Sequence, residues 1–462
     1  MKILIAGGGE VALLIARRLT REGSEITIVE ENGDRCEHLE EMLDAKVIQG
    51  SAASIRTLRR AGIAEAEMLI AVTSIDEINL LVCLAAQVES KAKVKVARVR
   101  SHEVDHWRRI CAQTGLHIDL IIHPESEIEA RLLPVLRVPG VSDVIDFAAG
   151  KVKLFGMTIA PNSWVAGKTM EELDRAGPPQ NSLIAMIFRG SQVIIPHGKD
   201  VVQAGDHVYI VTTAQDLDAD YRFMGIDPQE SIERVFILGG KQVGIRLAQE
   251  LERQGIAVKL FERDARRCAK ISELVKKTVV VHGDGTDEAT LTEANIKGVD
   301  AFLALTGDDE DNIIAGLLAR KLGAKKVVAL VNRLNYLSMA QRLGINTTVS
   351  PRLAAVDRIL QFVRKGRVLS VTTFRDEEAE AIELIAQPGS KYVGKYLREL
   401  RLPEGAIVGA IARSDGEVIV PRGSAKIEAG DRVIFFALEK VVPKLESAFL
   451  ESKKAEPARD RA

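Results

Sequence analysis

The amino-acid sequence predicts an α/β chain of two doubly wound parallel-sheet lobes, each followed by a small α+β domain. Three observations predict it. The chain repeats itself: MKILIAGGGEVALLIARRL returns as ERVFILGGKQVGIRLAQEL, with Gly7 matching Gly239 at a shift of 232 positions. The repeat runs past the glycines, since AVTSIDEIN (71–79) returns as ALTGDDEDN (304–312) and VIIPHG…QAGDHVYIV returns as VIVPRG…EAGDRVIFF. Within each copy, short branched apolar runs alternate with stretches of helical period, the pattern of βαβ units.

Residues 2–6 (KILIA) read as a buried parallel strand, and 7–9 turn into a helix that carries Val11, Ile15 and Leu19 on one face. Strand-like runs follow at 25–29, 46–48, 68–72 and 94–99, separated by helical stretches at 34–44, 54–62 and 76–89. His123-Pro124 closes the first lobe (1–123), a helix from about 125 to 137 follows, and Pro139-Gly140 breaks it. Residues 141–226 change character, with short strands, several Gly and Pro, and one short helix around Met170–Leu173. That is a small α+β domain. The second copy predicts a lobe over 232–350, a helix after Pro351 matching the one after Pro124, and a second small domain over 369–453.

Composition narrows the function classes. With 462 residues and a net charge of −2, the chain lacks the basic excess that non-specific nucleic-acid or membrane-surface binding needs. Only the terminal ESKKAEPARDRA is charged enough to predict disorder. Cys36, Cys83, Cys111 and Cys268 form no CxxC pair and read as reduced thiols, with Cys83 in the core. No run of 18 uncharged apolar residues occurs and the N-terminus reads as a strand, so a soluble cytoplasmic protein is expected.

Gly7-Gly8-Gly9-Glu10-Val11-Ala12 is a G-x-G-x-x-A turn between a strand and a helix, the Rossmann fingerprint. Gly7 allows the tight turn, Gly9 lets backbone approach a pyrophosphate, and Ala12 is small enough for the helix to pack on the strand. Phosphates are expected at the helix N-terminus, where free N–H groups and the dipole favour anions. Glu30, 23 residues after Gly7, is placed to accept from both ribose hydroxyls and to repel a 2′-phosphate, which favours NAD over NADP.

The second copy, Gly239-Gly240-Lys241-Gln242-Val243-Gly244, puts lysine where the second glycine of the fingerprint should stand. Its Cβ crowds the approach to pyrophosphate, while its ammonium offers partial compensation by pairing with phosphate. Glu262 persists, as does a polar turn after the third strand, Gly283-Asp284-Gly285-Thr286-Asp287. A different nucleotide, weak binding, and a fold kept without its ligand all stay open for lobe two.

Other motifs read as structural. His102-Glu103-Val104-Asp105-His106 matches H-E-x-x-H, yet it follows a strand of a dinucleotide fold, lacks a third ligand and has no repeat partner, so no zinc site is expected. Two near-P-loops, ending in Gly167-Lys168-Thr169 and Gly394-Lys395-Tyr396, are equivalent under the repeat and are expected to mark a turn of the small fold. No G-x-S-x-G elbow is present.

On the GxGxxA turn, Glu30, AVTSIDEIN, VARVRS (96–101) and the small domain with its AGD-x-V ending, the chain resembles the TrkA family over nearly its whole length. These are cytoplasmic NAD-binding regulatory subunits of Trk potassium uptake systems, built from tandem RCK domains. The resemblance implies that Gly7, Gly8, Gly9, Glu10 and Val11 bind pyrophosphate and Glu30 binds ribose. It implies that Gly50, Ser51, Thr73 and Ser74 line the adenosine and ribose side, with Arg98 near the nucleotide. In lobe two the counterparts are Gly239, Gly240, Lys241, Gln242, Val243, Glu262, Gly283, Asp284, Thr306 and Gly307. It further implies NAD (NAD+ or NADH) as ligand with ADP and ATP as further candidates. The implied partners are copies of the chain in a ring, expected to be a tetramer, and a membrane-embedded potassium-translocating subunit of the TrkH or TrkG kind. The chain would then be a regulator and no enzyme. The competing reading is an NAD-dependent oxidoreductase, for which the small domains offer no acid–base motif.

Overall fold

The computed structural model describes residues 1–450 apart from 91, 102, 137, 139, 180, 191, 229–231, 346, 364–367, 375–378 and 422–423. It divides into two compact units, Met1–Glu129 with Ser350–Val363, and Ala130–Val349 with Arg364–Ala462.

In the first unit, β1 (Lys2–Ala6), β2 (Glu25–Glu30), β3 (Lys46–Gln49), β4 (Met68–Ala71), β5 (Val94–Arg98) and β6 (Leu120–Ile122) form a parallel sheet in the order 3-2-1-4-5-6. The order reverses between β1 and β4, which opens a crevice beyond their carboxyl ends. Both strands are sealed by helices, so Ile3, Leu4, Ile5 and the whole of β4 are buried. Helix Glu10–Arg21 turns Val11, Ala12, Ile15 and Leu19 inward, carries Arg18 and Arg21 in its last turn to complement its dipole, and is followed by Gly23 at φ +78°. Helix Pro351–Val363, which follows lobe two in sequence, belongs to this unit. It packs on helix Glu10–Arg21 and β6 and buries Ala355, Val356, Ile359 and Leu360.

The second unit holds the other lobe and both small domains. Its parallel sheet has the same strand order and switch point as that of the first unit. The first small domain contributes β7 (Val141–Phe147), β8 (Val152–Thr158), β9 (Ser182–Arg189), β10 (Gln192–Ile194) and β11 (His207–Thr213), an antiparallel sheet in the order 10-9-11-8-7. Lobe two comprises β12 (Arg234–Leu238), β13 (Ala257–Glu262), β14 (Val279–His282), β15 (Ala301–Ala304), β16 (Lys326–Leu330) and β17 (Thr347–Val349). The second small domain follows with β18 (Val368–Phe374), β19 (Ala379–Ile385), β20 (Ala406–Ala412), β21 (Val418–Ile419) and β22 (Arg432–Leu438), in the order 18-19-22-20-21.

The first small domain has a second helix, Leu217–Phe223, beside the expected one at Met170–Arg175. Its seven residues carry too short a pattern to show a helical period, and a single buried ring anchors it, Tyr221 edge-on to Phe155 at 4.8 Å.

The two small sheets stack face to face. Strand alternation sends Leu154, Met186, Phe188, Tyr209 and Val211 to one side, where they meet Phe374, Ala379, Ala381, Ala410, Ala412, Ile434 and Phe436 in one core. Alanines on the second sheet leave room for the rings, and Phe374 meets Tyr209 at 4.7 Å between centroids. The opposite faces are covered separately, the second by helix Val442–Leu450 through Leu445 and Phe449. At the β7–β8 turn, Ala148 and Ala149 adopt φ of 50° and 56°, and the Ala148 N–H donates to buried Glu383 Oε2 at 3.2 Å. Among the described residues, no helix is long and apolar enough to cross a membrane.

Candidate nucleotide site

The crevice of lobe one begins at the turn after β1. Gly7 takes φ +100°, and a Cβ on it would lie 2.9 Å from the backbone of Thr73. A Cβ on Gly8 would lie 2.7 Å from Leu39 and 2.9 Å from Glu30. The fold therefore demands these two glycines. Gly9 is different. Its φ of −73° suits any residue, and a Cβ there would meet nothing within 4 Å. It caps helix Glu10–Arg21 without a side-chain hydrogen bond, so Gly9, Glu10 and Val11 present the helix N-terminus to open space.

Glu30 closes β2 and lies beneath this turn. Its Oε2 accepts from the Gly8 N–H at 2.6 Å and its Oε1 from the Asn32 N–H at 2.9 Å. The carboxylate is thus fixed by backbone, and its remaining lone pairs are what a ribose can use. Gly50 follows β3 at φ +152°, donates to Glu30 O at 2.8 Å, and leads into Ser51. Across the switch point, Thr73 and Ser74 follow β4. Asn79 Oδ1 accepts from the Thr73 N–H and hydroxyl, both at 2.8 Å, while its Nδ2 donates to Thr73 O at 3.1 Å and to Arg98 O at 2.8 Å. Arg98 donates in turn to Val72 O at 2.9 Å and Thr73 O at 3.0 Å, and burial pulls its pKa down to about 10. Arg100 caps Ser74 O. Gly7–Val11, Glu30, Gly50–Ser51, Thr73–Ser74 and Arg98 all stand at strand carboxyl ends of one sheet.

Lobe two repeats this frame, with Lys241, Arg263 and Leu330 where lobe one has Gly9, Glu31 and Arg98. Gly239 (φ +110°) and Gly240 are again hemmed in, and Glu262 accepts from the Gly240 N–H at 3.1 Å and the Asp264 N–H at 3.0 Å. Lys241 stands where Gly9 does, with the same extended backbone, and its ammonium folds onto Gly307. Arg267 donates to Gly240 O at 2.8 Å and lies 3.7 Å from Glu262, and Arg263 reaches Asp311 at 2.9 Å and Asp284 at 3.8 Å. Leu330 replaces Arg98 under the repeat. Thr306 is held by Asn312 at 2.8 and 2.9 Å as Thr73 is by Asn79; Gln242, Val243 and Gly283 keep their places around the turn. The second crevice is thus crossed by basic side chains that its own acids and backbone hold.

Sequence reasoning missed Asn79 and Asn312, both fully buried, although each ends a quoted repeat. It missed Arg352 on helix Pro351–Val363, which pairs with Glu10 at the mouth of lobe one. Nothing in the repeat marks Arg352, because the equivalent position holds Glu125.

The two near-P-loops mark turns of the small domains. Thr169 closes a capping box with Glu172 after Gly167 at φ +83°, and Gly394 takes φ +82° before the turn at Leu397–Glu399. Glu103 caps helix Val104–Thr114 instead of lying within it, and His102 is outside the described residues. Among the described residues, no group of three His, Cys, Asp or Glu could hold a metal ion. The four cysteines are free, and burial pushes the Cys83 thiol up to about 12.

Comparison with known proteins adds the lineage. The TrkA-N domain model matches residues 3–124 and 235–351, and the TrkA-C domain model matches 154–225 and 381–450. The Trk system potassium uptake protein TrkA of Halomonas elongata is 35% identical over 446 residues, covering 95% of this chain and 96% of that protein. That of Vibrio alginolyticus is 34% identical, with 98% and 99% covered. Among solved structures, the GsuK RCK domain is 22% identical with a TM-score of 0.59, covering 97% of this chain and 94% of that one, and it shares the fold.

Proposed function

The chain belongs to the TrkA family of Trk-system potassium uptake proteins, and on that premise we propose a nucleotide-gated regulatory subunit whose lobe one holds NAD or NADH. Its role is regulatory, not catalytic. Gly7–Val11 receive the pyrophosphate, Glu30 the ribose, Gly50, Ser51, Thr73 and Ser74 the adenosine side, with Arg98 bracing the floor. ADP and ATP share the adenosine and phosphate groups and compete for the same crevice. Lobe two, with Gly239–Val243, Glu262, Gly283, Asp284, Thr306 and Gly307, is the altered or weaker site.

One observation carries the reading. Gly9 is bare although neither its own backbone nor its neighbours require it, so the group that needs the space is one that approaches from outside. Helix Asp76–Glu89 also leaves Leu81, Leu84 and Val88 exposed at 46, 47 and 78%, a stripe at helical spacing that suits assembly with other copies in a ring, which we take as a tetramer. Docking of that ring to a membrane-embedded subunit of the TrkH or TrkG kind, from the cytoplasm, completes the proposal. Nucleotide acts by favouring one ring conformation over another.

The test is calorimetric titration of wild type and Gly9→Asp with NAD, NADH, ADP and ATP, followed by potassium uptake with the cognate transporter. Gly9→Asp should lose the tighter binding phase and the nucleotide response. Equal binding and equal nucleotide-sensitive uptake would reject the site.

A further inference from the structure

The helix that follows lobe two delivers an arginine to the nucleotide crevice of lobe one. Arg352 is the second residue of helix Pro351–Val363, and its Nη1 donates to Glu10 Oε2. Glu10 opens helix Glu10–Arg21 directly after Gly9, so the guanidinium lies within one side chain's length of the amides that face open space. An acid at Glu10 suits its own helix dipole, whereas a cation in the first turn of helix Pro351–Val363 opposes that helix's dipole. Arg352 is two-thirds buried at its side chain, and burial pulls its pKa below the ordinary arginine range. Neither its helix nor its burial stabilises the charge; the carboxylate of Glu10 does. The same helix is pinned further along by Arg358, 3.8 Å from Glu127.

We propose that Arg352 is the phosphate-facing cation of the lobe-one site, for which Glu10 and the pyrophosphate of a bound dinucleotide compete. The inference rests on the nucleotide reading of lobe one. It makes phosphate, not adenosine, the group that helix Pro351–Val363 senses, and in chain order that helix joins lobe two to the second small domain. A planar guanidinium can pair with two phosphate oxygens at once, which lysine cannot.

The experiment uses the full chain, with Gly9→Asp titrated in parallel so that binding at lobe two is subtracted. Arg352→Gln should weaken NADH and ADP about tenfold and leave adenosine unchanged, and Arg352→Lys should fall between. Glu10→Gln should tighten NADH several-fold. A purely structural ion pair predicts that both neutralising variants shift affinity in the same direction; opposite directions are required here. NADH should slow hydrogen exchange in residues 351–363 of wild type and not of Arg352→Gln. Wild-type affinity in Arg352→Gln, or a loss in Glu10→Gln matching that of Arg352→Gln, would overturn the inference while leaving lobe one a nucleotide site. If Arg352→Gln does not fold, the Glu10→Gln titration decides alone. Wild type indistinguishable from Gly9→Asp would instead remove the nucleotide reading itself, and the inference with it.

Discussion

The ammonium of Lys241 lies against the backbone of Gly307, so closely that any Cβ at 307 would collide with it. Lobe one has Gly9 and Ser74 at these two places. Each crevice therefore pairs one bare position with one bulky one, on opposite walls. Lys241→Gly should clear the pyrophosphate approach and raise the NADH stoichiometry or the affinity of the weaker phase. Gly307→Ser in the wild-type background should dislodge Lys241 and cost stability, an effect that Lys241→Gly cancels. Two equal, independent NADH sites in wild type would refute this assignment.

In the proposed site, Glu30 is the residue expected to favour NADH over NADPH. Because its oxygens also accept from Gly8 and Asn32, Glu30→Ala strips two backbone amides of their partner and lowers stability by about 1–3 kcal/mol. Glu30→Gln removes the charge and keeps one of the two acceptors, so it tests the repulsion at a smaller cost in stability than Glu30→Ala. Fluorescence titration should show NADH preferred in wild type and the preference largely lost in Glu30→Gln. Equal affinities in wild type would move the ribose contact elsewhere.

Asn79 holds the Thr73 turn through three hydrogen bonds and ties it to Arg98 O through a fourth, in a fully buried place. Asn79→Ala leaves those groups unpaired and should cost roughly 2–4 kcal/mol, read as a lower denaturation midpoint, together with weaker nucleotide binding at lobe one. Asn312→Ala should show the stability loss and spare the tighter nucleotide phase.

Asp220 gives the first small domain a pH dependence. Burial raises its pKa to about 6 from 3.8, against the hydrogen bonds from Ser182 and Thr212, and its Oδ1 has no hydrogen-bond partner. The native state therefore binds a proton more tightly than the unfolded chain, so stability falls as pH rises between about 4 and 6 and is flat above. The whole change is bounded at roughly 3 kcal/mol. Asp220→Asn should remove this slope, seen by comparing denaturant midpoints of the two proteins at about pH 5 and pH 7.5. Parallel pH profiles would refute it.

Ala148 and Ala149 occupy left-handed backbone at the β7–β8 turn, followed by Gly150 at φ +86°. Ala149→Gly should stabilise the protein by about 1 kcal/mol, less the entropy that glycine adds to the unfolded chain. A lower midpoint in that variant would mean that the Ala149 methyl contributes packing that outweighs the strain.

The doubly wound lobes were legible because their signals are local: KILIA before a glycine turn, an acid at the end of β2, and a repeat that states each twice. Gly7 and Gly9 look alike in sequence, and only their surroundings in the fold separate the glycine that the turn needs from the one left bare. Helix Leu217–Phe223 escaped because seven residues hold too few apolar positions for a period. The Glu10–Arg352 pair escaped because it joins positions 342 apart through helix packing, which no pattern along the chain records.

The shared core of the two small sheets has a consequence for synthesis. Phe188 and Phe374 stand 6.4 Å apart, yet Phe374 is made 186 residues later. At about 5–20 residues per second, the apolar face of the first small sheet waits roughly 10–40 seconds on the ribosome before its cover exists. A nascent chain stalled ahead of β18 should recruit holding chaperones that a chain released at full length does not.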